Sequence, residues 1–263
     1  MFEAILDYVS PQKDKIGLYV QDLDSGESIA VNADRSFSSA SAIKYPVMWA
    51  YYELVAKGEI DPLTVHELRD EDRVGTTPYD SGVLRELHTG IPLTYEDCVK
   101  FMITVSDDVA TNIIIKLLGM DYCNEVFRRI GLTGTSCHRL MMDYEGLEAG
   151  RDNFISAGDM GRLSWMICTD QIIPHQYNQE MLGILTRCRH NDSLPRFLPR
   201  TIKVGHKGGC IMQYGMDHDV GVIFQGDRPR LLVNVCTQFA ENPRDLMGTV
   251  ARMAYEEAVG KLE

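Results

Sequence analysis

The side chains able to do covalent chemistry fall in three short clusters. The first is Ser41-Ala42-Ile43-Lys44. A serine hydroxyl is a weak nucleophile and needs a base beside it. Residues three apart share one face of a helix, so this spacing sets the Lys44 amine within reach of the Ser41 hydroxyl. A serine at a helix start also places its oxygen near the positive end of the helix dipole. Desolvation and a second cation would lower the lysine pKa toward that of a working base. The second cluster is Ser106-Asp107-Asp108. Its serine can relay a proton from the attacking hydroxyl to a leaving nitrogen, and Asp108 can bond to the substrate or to Lys44. The third is Lys207-Gly208-Gly209-Cys210. Glycines beside a strand let a ligand approach the backbone closely. Lys207 would give positive charge to a substrate carboxylate and help tune Lys44 or Ser106. The backbone N–H groups of Cys210 and Ser41 would together form an oxyanion hole.

Each cluster also has a plainer reading. Ser41 and Ser106 can be helix caps, and Lys207 a surface lysine beside a glycine turn. Ser10-Pro11-Gln12-Lys13 repeats the Ser-x-x-Lys pattern in a polar stretch that reads as a solvated turn. The Ser41 copy differs in standing at the entrance of a long apolar run that reaches Ala56.

The elements that must position these clusters follow from periodicity. Phe2–Val9 has the pattern of a short amphipathic helix. KIGLYVQDL and ESIAVNA alternate apolar and polar residues around Asp24-Ser25-Gly26, which predicts a β-hairpin. From Ser41 to about Cys188 the pattern is mainly helical. Thr94 with Asp97, and Ser156 with Asp159, have the form of helix starts. Residues 139–155 show no periodicity and read as a loop. Three strands follow, TIKVGH, VGVIFQG and RLLVNVCTQF, and a closing helix begins near Asn242. The expected class is therefore α+β. One antiparallel sheet is built from both ends of the chain, 1–35 and 190–263, and flanked by the terminal helices. An all-α lobe, 36–189, is inserted between them, with the site in the cleft.

Bulk properties narrow the function. The 263 residues are 44% hydrophobic and 24% charged, ordinary for a globular protein, and no segment approaches the ~20 apolar residues of a membrane span. The net charge of −12 repels phosphate backbones and argues against a nucleic-acid partner. The 7 cysteines are scattered and form no CxxC pair, so no metal centre or cofactor is expected. Free thiols fit a reducing compartment. MFEAILDYVSPQ lacks the basic and apolar parts of a signal peptide, which points to the cytoplasm, although a trimmed chain from outside it would look the same. The chain is expected to act as a monomer or weak dimer.

Taken in order, the three clusters resemble the SxxK, SDN and KTG boxes of class A β-lactamases and penicillin-binding proteins. SGVLRELHTG with PLTYEDCVKFMITVSDDVATNIII, GRDNFISAGDMGRL and HDVGVIF are similar to further stretches of that family, so the resemblance runs from about Ile16 to the C-terminus. It implies the two-lobed fold, with Ser41 as the acylated nucleophile and Lys44 as general base or part of its relay. It also implies Ser106 as proton shuttle, Lys207 as carboxylate anchor, and a β-lactam or another small carboxylate-bearing amide or ester as substrate.

Three departures stand out. Asp108 replaces the family's asparagine, and an ionised carboxylate cannot donate to a substrate carbonyl. Bound to Lys44, it would keep that amine charged. Gly208 replaces the usual hydroxyl residue and removes one donor, a loss of about 1 kcal/mol or more. The loop MMDYEGLEAGRDN is short and lacks the family's deacylating glutamate in its usual surroundings. Glu145 and Glu148 are the candidates for that base, and without one deacylation would be slow. His206 reads as packing. His218 is a possible contact for an anionic substrate where relatives use arginine, with packing as its plainer role. A D-alanyl peptidase, an esterase or a non-catalytic binding module of the same fold remain as alternatives.

Overall fold

The computed structural model describes residues 1–75 and 80–262. Helix α1 (Glu3–Val9) leads into strands β1 (Ile16–Asp22) and β2 (Ser28–Val31), which pair with Leu18 opposite Val31 as the alternation predicts. The chain then passes through β3 (Phe37–Ser38) to α2 (Lys44–Ala56), β4 (Val65–Glu67), β5 (Pro92–Thr94), α3 (Tyr95–Thr104), α4 (Asp108–Leu118) and α5 (Met120–Arg129). Next come α6 (Tyr144–Glu148), β6 (Phe154–Ile155), α7 (Ala157–Cys168) and α8 (His175–Leu185). It closes with β7 (Val204–Ile211), β8 (Met216–Gln225), β9 (Arg228–Gln238) and α9 (Pro243–Ala258). Among the described residues, no helix is long and apolar enough to cross a membrane.

The main sheet has the order β2-β1-β9-β8-β7, antiparallel throughout, so strands from both ends of the chain share it and β7 is an edge. Period-two alternation gives the sheet two apolar faces. Leu18, Val20, Ile223, Val233 and Val235 pack with α1 and α9 through Ile5, Val250 and Ala254. Val220, Val222, Leu232 and Cys236 turn to the other side and join the large core made by the helices. At the centre of that core lies α2, whose Tyr45, Met48, Trp49 and Tyr51 are all fully buried. Such an all-round apolar helix is stable only inside a protein.

The predicted helix starts are present. Thr94 and Asp97 form a reciprocal capping box, and the Ser156 hydroxyl accepts from the Asp159 N–H. Two expectations change. The segment expected to be an irregular loop contains α6 and β6, and β6 pairs with β3 through Phe37–Ile155 and Ser38–Phe154. That pairing ties the segment to the chain just before Ser41. It forms because Asn153 Oδ1 accepts from the His138 and Arg139 N–H groups at 2.7 and 3.1 Å, and Arg139 Nε meets Asp152 at 2.8 Å. The glycine cluster is also not a turn beyond a strand. It lies within β7, where Gly208 is paired with Asp219 and Gly209 with His218.

One glycine fixes the alignment of the edge strand. A Cβ added to Gly221 of β8 would stand 2.2 Å from the Gly205 carbonyl oxygen and 2.7 Å from the His206 Cα. The β7 backbone cannot yield as a side chain can. Gly221→Ala is expected to destabilise the protein by about 3 kcal/mol, read as a lower Tm, because overpacking here must part β7 from β8.

Candidate active site

Ser106 is held apart from the role of a cap. The cap of α4 is Asp107, whose Oδ1 accepts from the Ala110 N–H at 2.9 Å. Its Oδ2 accepts from the Val83 and Leu84 N–H groups at 2.6 and 2.8 Å, which fastens the 83–84 backbone to the helix start. Ser106 itself has φ +57°, the left-handed conformation that a non-glycine residue adopts at a cost of about 1–3 kcal/mol. Its hydroxyl oxygen is left to accept from two ammonium groups, Lys44 Nζ and Lys207 Nζ, each at 3.1 Å. Both lysines are buried, 0% and 1% exposed.

Lys44 donates three times: to the Ser106 carbonyl at 2.6 Å, the Ser106 hydroxyl at 3.1 Å and Asp108 Oδ1 at 2.7 Å. An ammonium has three protons, so none remains for Ser41. Among the described residues, no hydrogen bond involves the Ser41 hydroxyl. The expected Ser41–Lys44 contact is therefore absent here, replaced by an ion pair with the aspartate that stands where the family has asparagine. The second Asp108 oxygen accepts from the Ser81 N–H at 3.0 Å, which holds the carboxylate in place.

Ser41 lies in a single 3-10 turn, Ala40–Ile43, just ahead of α2, and its side chain caps neither element. The edge of β7 lies directly on this turn. A Cβ at Gly209 would stand 2.7 Å from the Ser41 nitrogen and 2.6 Å from the Ala42 nitrogen, so a side chain there would occupy the approach to the Ser41 N–H. Gly208 is less constrained, its Cβ site being 3.3 Å from the nearest atom. Lys207 faces the helices, bonding Ser106 and, at 2.6 Å, the Gly208 carbonyl. Burial and the neighbouring Lys44 charge bring its pKa down to about 8, against opposing attraction from Cys188, Asp219 and Asp108.

Behind Lys207, His206, which reads as packing from the sequence, belongs to a polar cluster. His206 Nδ1 meets Asp219 at 2.9 and 3.0 Å, and Nε2 meets Asn191 Oδ1 at 3.2 Å. Burial would lower the His206 pKa, but the Asp219 carboxylate outweighs it and holds the ring up to about 10. Burial likewise opposes ionisation of Cys188, yet hydrogen bonds from His190 and His206 bring it down to about 5. No spacing in the sequence joined these three, because Cys188, His206 and Asp219 lie after α8, on β7 and on β8.

Three expected substrate or base residues are placed elsewhere. His218 is fully buried; its Nδ1 accepts from the Thr237 N–H at 3.0 Å, which leaves Nε2 to donate to the Ser38 carbonyl at 2.7 Å. Burial pushes its pKa down to about 4, so it is a neutral packing residue and offers nothing to an anion. Glu145 and Glu148 are exposed on α6. The residue this segment delivers to the start of α4 is Met141, whose N–H and carbonyl bond the Asn112 side chain at 2.7 and 3.0 Å. The opposite charges of Arg139 and Asp152 at the two ends of the segment were a legible sign of its closure. Among the described residues, no group of three or more His, Cys, Asp or Glu side chains is placed to hold a metal ion.

Residues 1–258 match the model of the beta-lactamase enzyme family. Among curated proteins, the chain is similar to the beta-lactamase ROB-1 of Haemophilus influenzae, 23% identical over 88% of this chain and 74% of that one. It is also similar to a beta-lactamase of Streptomyces albus G, 25% identical over 92% and 79%. Among solved structures it is similar to a beta-lactamase from Sphaerobacter thermophilus, with TM-score 0.87, 27% identity and 98% of each chain covered. It is likewise similar to PBP-A, with TM-score 0.84, 27% identity, 97% of this chain and 94% of that one. A PBP-A mutant solved as an acyl-enzyme complex with penicillin G has TM-score 0.85. With this match over nearly its whole length, the chain belongs to the beta-lactamase enzyme family and is a serine hydrolase of the class A β-lactamase type.

Proposed function

We propose that the protein forms an acyl-enzyme through Ser41 with β-lactams or related small amides and esters, and releases the acyl group slowly. The observation that carries this reading is the convergence of Lys44 and Lys207 on the Ser106 hydroxyl beside the Ser41 turn. The reacting groups stand where the sheet, from the two ends of the chain, meets the inserted helices, which supports the division into 1–35 with 190–263 and 36–189.

For attack, Lys44 in its uncharged form, which the paired Asp108 carboxylate disfavours, takes the proton of Ser41, whose oxygen then bonds the carbonyl carbon. The negative oxygen that forms is met by the Ser41 and Cys210 N–H groups. Ser106 gives its proton to the leaving nitrogen and regains one from Lys44, so the protons balance. Lys207 holds the charge of this relay. Deacylation needs a base for water, and Glu145 and Glu148 stand in solvent, with Met141 clamped where the segment meets α4. A lingering acyl-enzyme on a penicillin-binding fold fits that arrangement, as does an esterase with a simpler leaving group. Seven unpaired cysteines support a reducing compartment, where cell-wall peptides are not met and an esterase has the advantage over a D-alanyl peptidase. The protein would act there as a monomer or weak dimer.

Intact-mass measurement after mixing with penicillin G or nitrocefin is expected to show one adduct on Ser41 that persists long after free ligand is removed. Ser41→Ala abolishes it. No adduct on Ser41 from any of several acyl donors would sink the reading. Asp108→Asn is expected to speed acylation about tenfold, since Lys44 loses the charged partner that keeps it protonated. The same change should lower the Tm, because a buried ammonium loses its counter-ion.

Acylation should also depend on the charge of Lys207. Its pKa lies near 8, below the ordinary 10.5, so the cation is present below that pH and is lost as pH rises through it. The acylation rate is expected to fall above pH ~8, and in Lys207→Arg the falling limb should move to higher pH, since a guanidinium stays charged. A rate that stays level to pH ~10 in the parent would show that this charge is not used.

A further inference from the structure

We infer that Asp217 is a specificity-determining residue that turns the pocket beside Cys210 away from negatively charged acyl donors and toward neutral or cationic ones. The inference rests on the acyl-enzyme reading and deepens it by naming the class of substrate.

The sheet register supplies the geometry. Cys210 is paired with Asp217 and Gly208 with Asp219, so both carboxylates share the face of β7 and β8 that carries Gly208 and Cys210. Lys207 and Gly209 point to the opposite face. A ligand lying along the edge of β7, with its carbonyl at the Ser41 and Cys210 N–H groups, therefore extends its far end toward Asp217. There the surface opens into a pocket of about 440 Å³ lined by Cys210, Met212, Asp217, Arg196 and Arg244 among others.

The cations of this pocket are already engaged. Arg244, at the start of α9, donates from Nε to Asp217 Oδ2 at 2.9 Å and from Nη1 to Asp192. Arg196 is paired with Asp245 at 2.6 Å. Around Arg244 one positive charge thus faces two negative ones, and a substrate carboxylate would be a third. The other groups on this face offer no charge to replace it. Gly208 has no hydroxyl. On the opposite face, His218 is neutral with both ring nitrogens bonded to backbone. Asp219 is itself a carboxylate, its charge met by His206 and by the Leu194 N–H at 3.0 Å. Burial raises the pKa of Asp217 while Arg244 lowers it, in keeping with a carboxylate that depends on this one guanidinium. A neutral ester or amide, or one with a basic group, meets no such conflict.

The test measures non-covalent binding, so that it does not depend on turnover. Benzylpenicillin and its uncharged methyl ester are titrated calorimetrically into Ser41→Ala and into Ser41→Ala with Asp217→Asn. The first protein is expected to bind the ester at least as tightly as the acid. Asp217→Asn should tighten the acid about tenfold, as expected when one guanidinium is freed for a charge-assisted bond, and leave the ester unchanged. Raising the salt should shrink the difference. Asp192→Asn, at a half-exposed position, should act in the same direction and covers the case in which the Asp217 variant does not fold. The inference is overturned if the parent prefers the acid, if Asp217→Asn shifts both ligands alike, or if neither ligand binds either protein. Failure of Ser41 to form an adduct, in the separate mass measurement, would overturn the acyl-enzyme reading alone.

Discussion

Two ammonium groups, Lys44 and Lys207, lie buried within 3.1 Å of one hydroxyl oxygen, that of Ser106. Like charges at such separations repel strongly away from water, and a buried ion without a partner costs several kcal/mol. The surroundings answer with matched opposite charge. Asp108 bonds Lys44 directly. Asp219 stands behind Lys207 and is bonded to the His206 ring. Buried groups of opposite charge are thus paired with one another, on elements drawn from separate parts of the chain. Loss of any one leaves its partner uncompensated, so the cluster holds α2, α4, β7, β8 and the segment after α8 in one arrangement.

The backbone around the cluster is shaped by the same requirement. Ser106 keeps a left-handed conformation because Asp107 takes over the cap, freeing the serine hydroxyl for the lysines. Gly209 lets the edge of β7 rest on the Ser41 turn, and Gly221 lets β8 lie close against Gly205 and His206. Their effect is to bring an edge strand, a helix start and a 3-10 turn to within contact of one another, which no single element could do.

The fold was legible wherever local periodicity governed it. The hairpin, the caps at Thr94 and Ser156, the three late strands and the last helix all followed from alternation and capping chemistry. Segment 139–155 was less so, because its short helix and strand exist through Asn153, Asn112 and the Arg139–Asp152 pair and not through propensity. At the site, Ser41, Lys44, Ser106 and Lys207 were visible as boxes in order, and the reading of Asp108 as a partner for Lys44 matches the bond observed. The surroundings were not visible. Arg244 meets Asp217 from a different element, and His206 meets Asp219 across two strands, so no spacing in the chain announces either pair. His218 looked like a ligand contact because its burial depends on Ser38, 180 residues away.

The departures from the family pattern act on different steps of one reaction. Asp108 occupies the third proton of Lys44 and so weighs on the base before attack. Gly208, His218 and the Asp217–Arg244 pair alter the end of the pocket where a substrate charge would sit, and so weigh on which donor is held. Met141 and the outward Glu145 and Glu148 bear on the water that would follow. None of them removes the Ser41 and Cys210 N–H groups or the Ser106 hydroxyl, which are the parts proposed to bond an acyl group to Ser41. On the proposed acyl-enzyme reading, a site altered in this way would keep acyl transfer while losing the features suited to rapid turnover of anionic lactams, and the retained steps would require a carbonyl and a leaving group but no carboxylate.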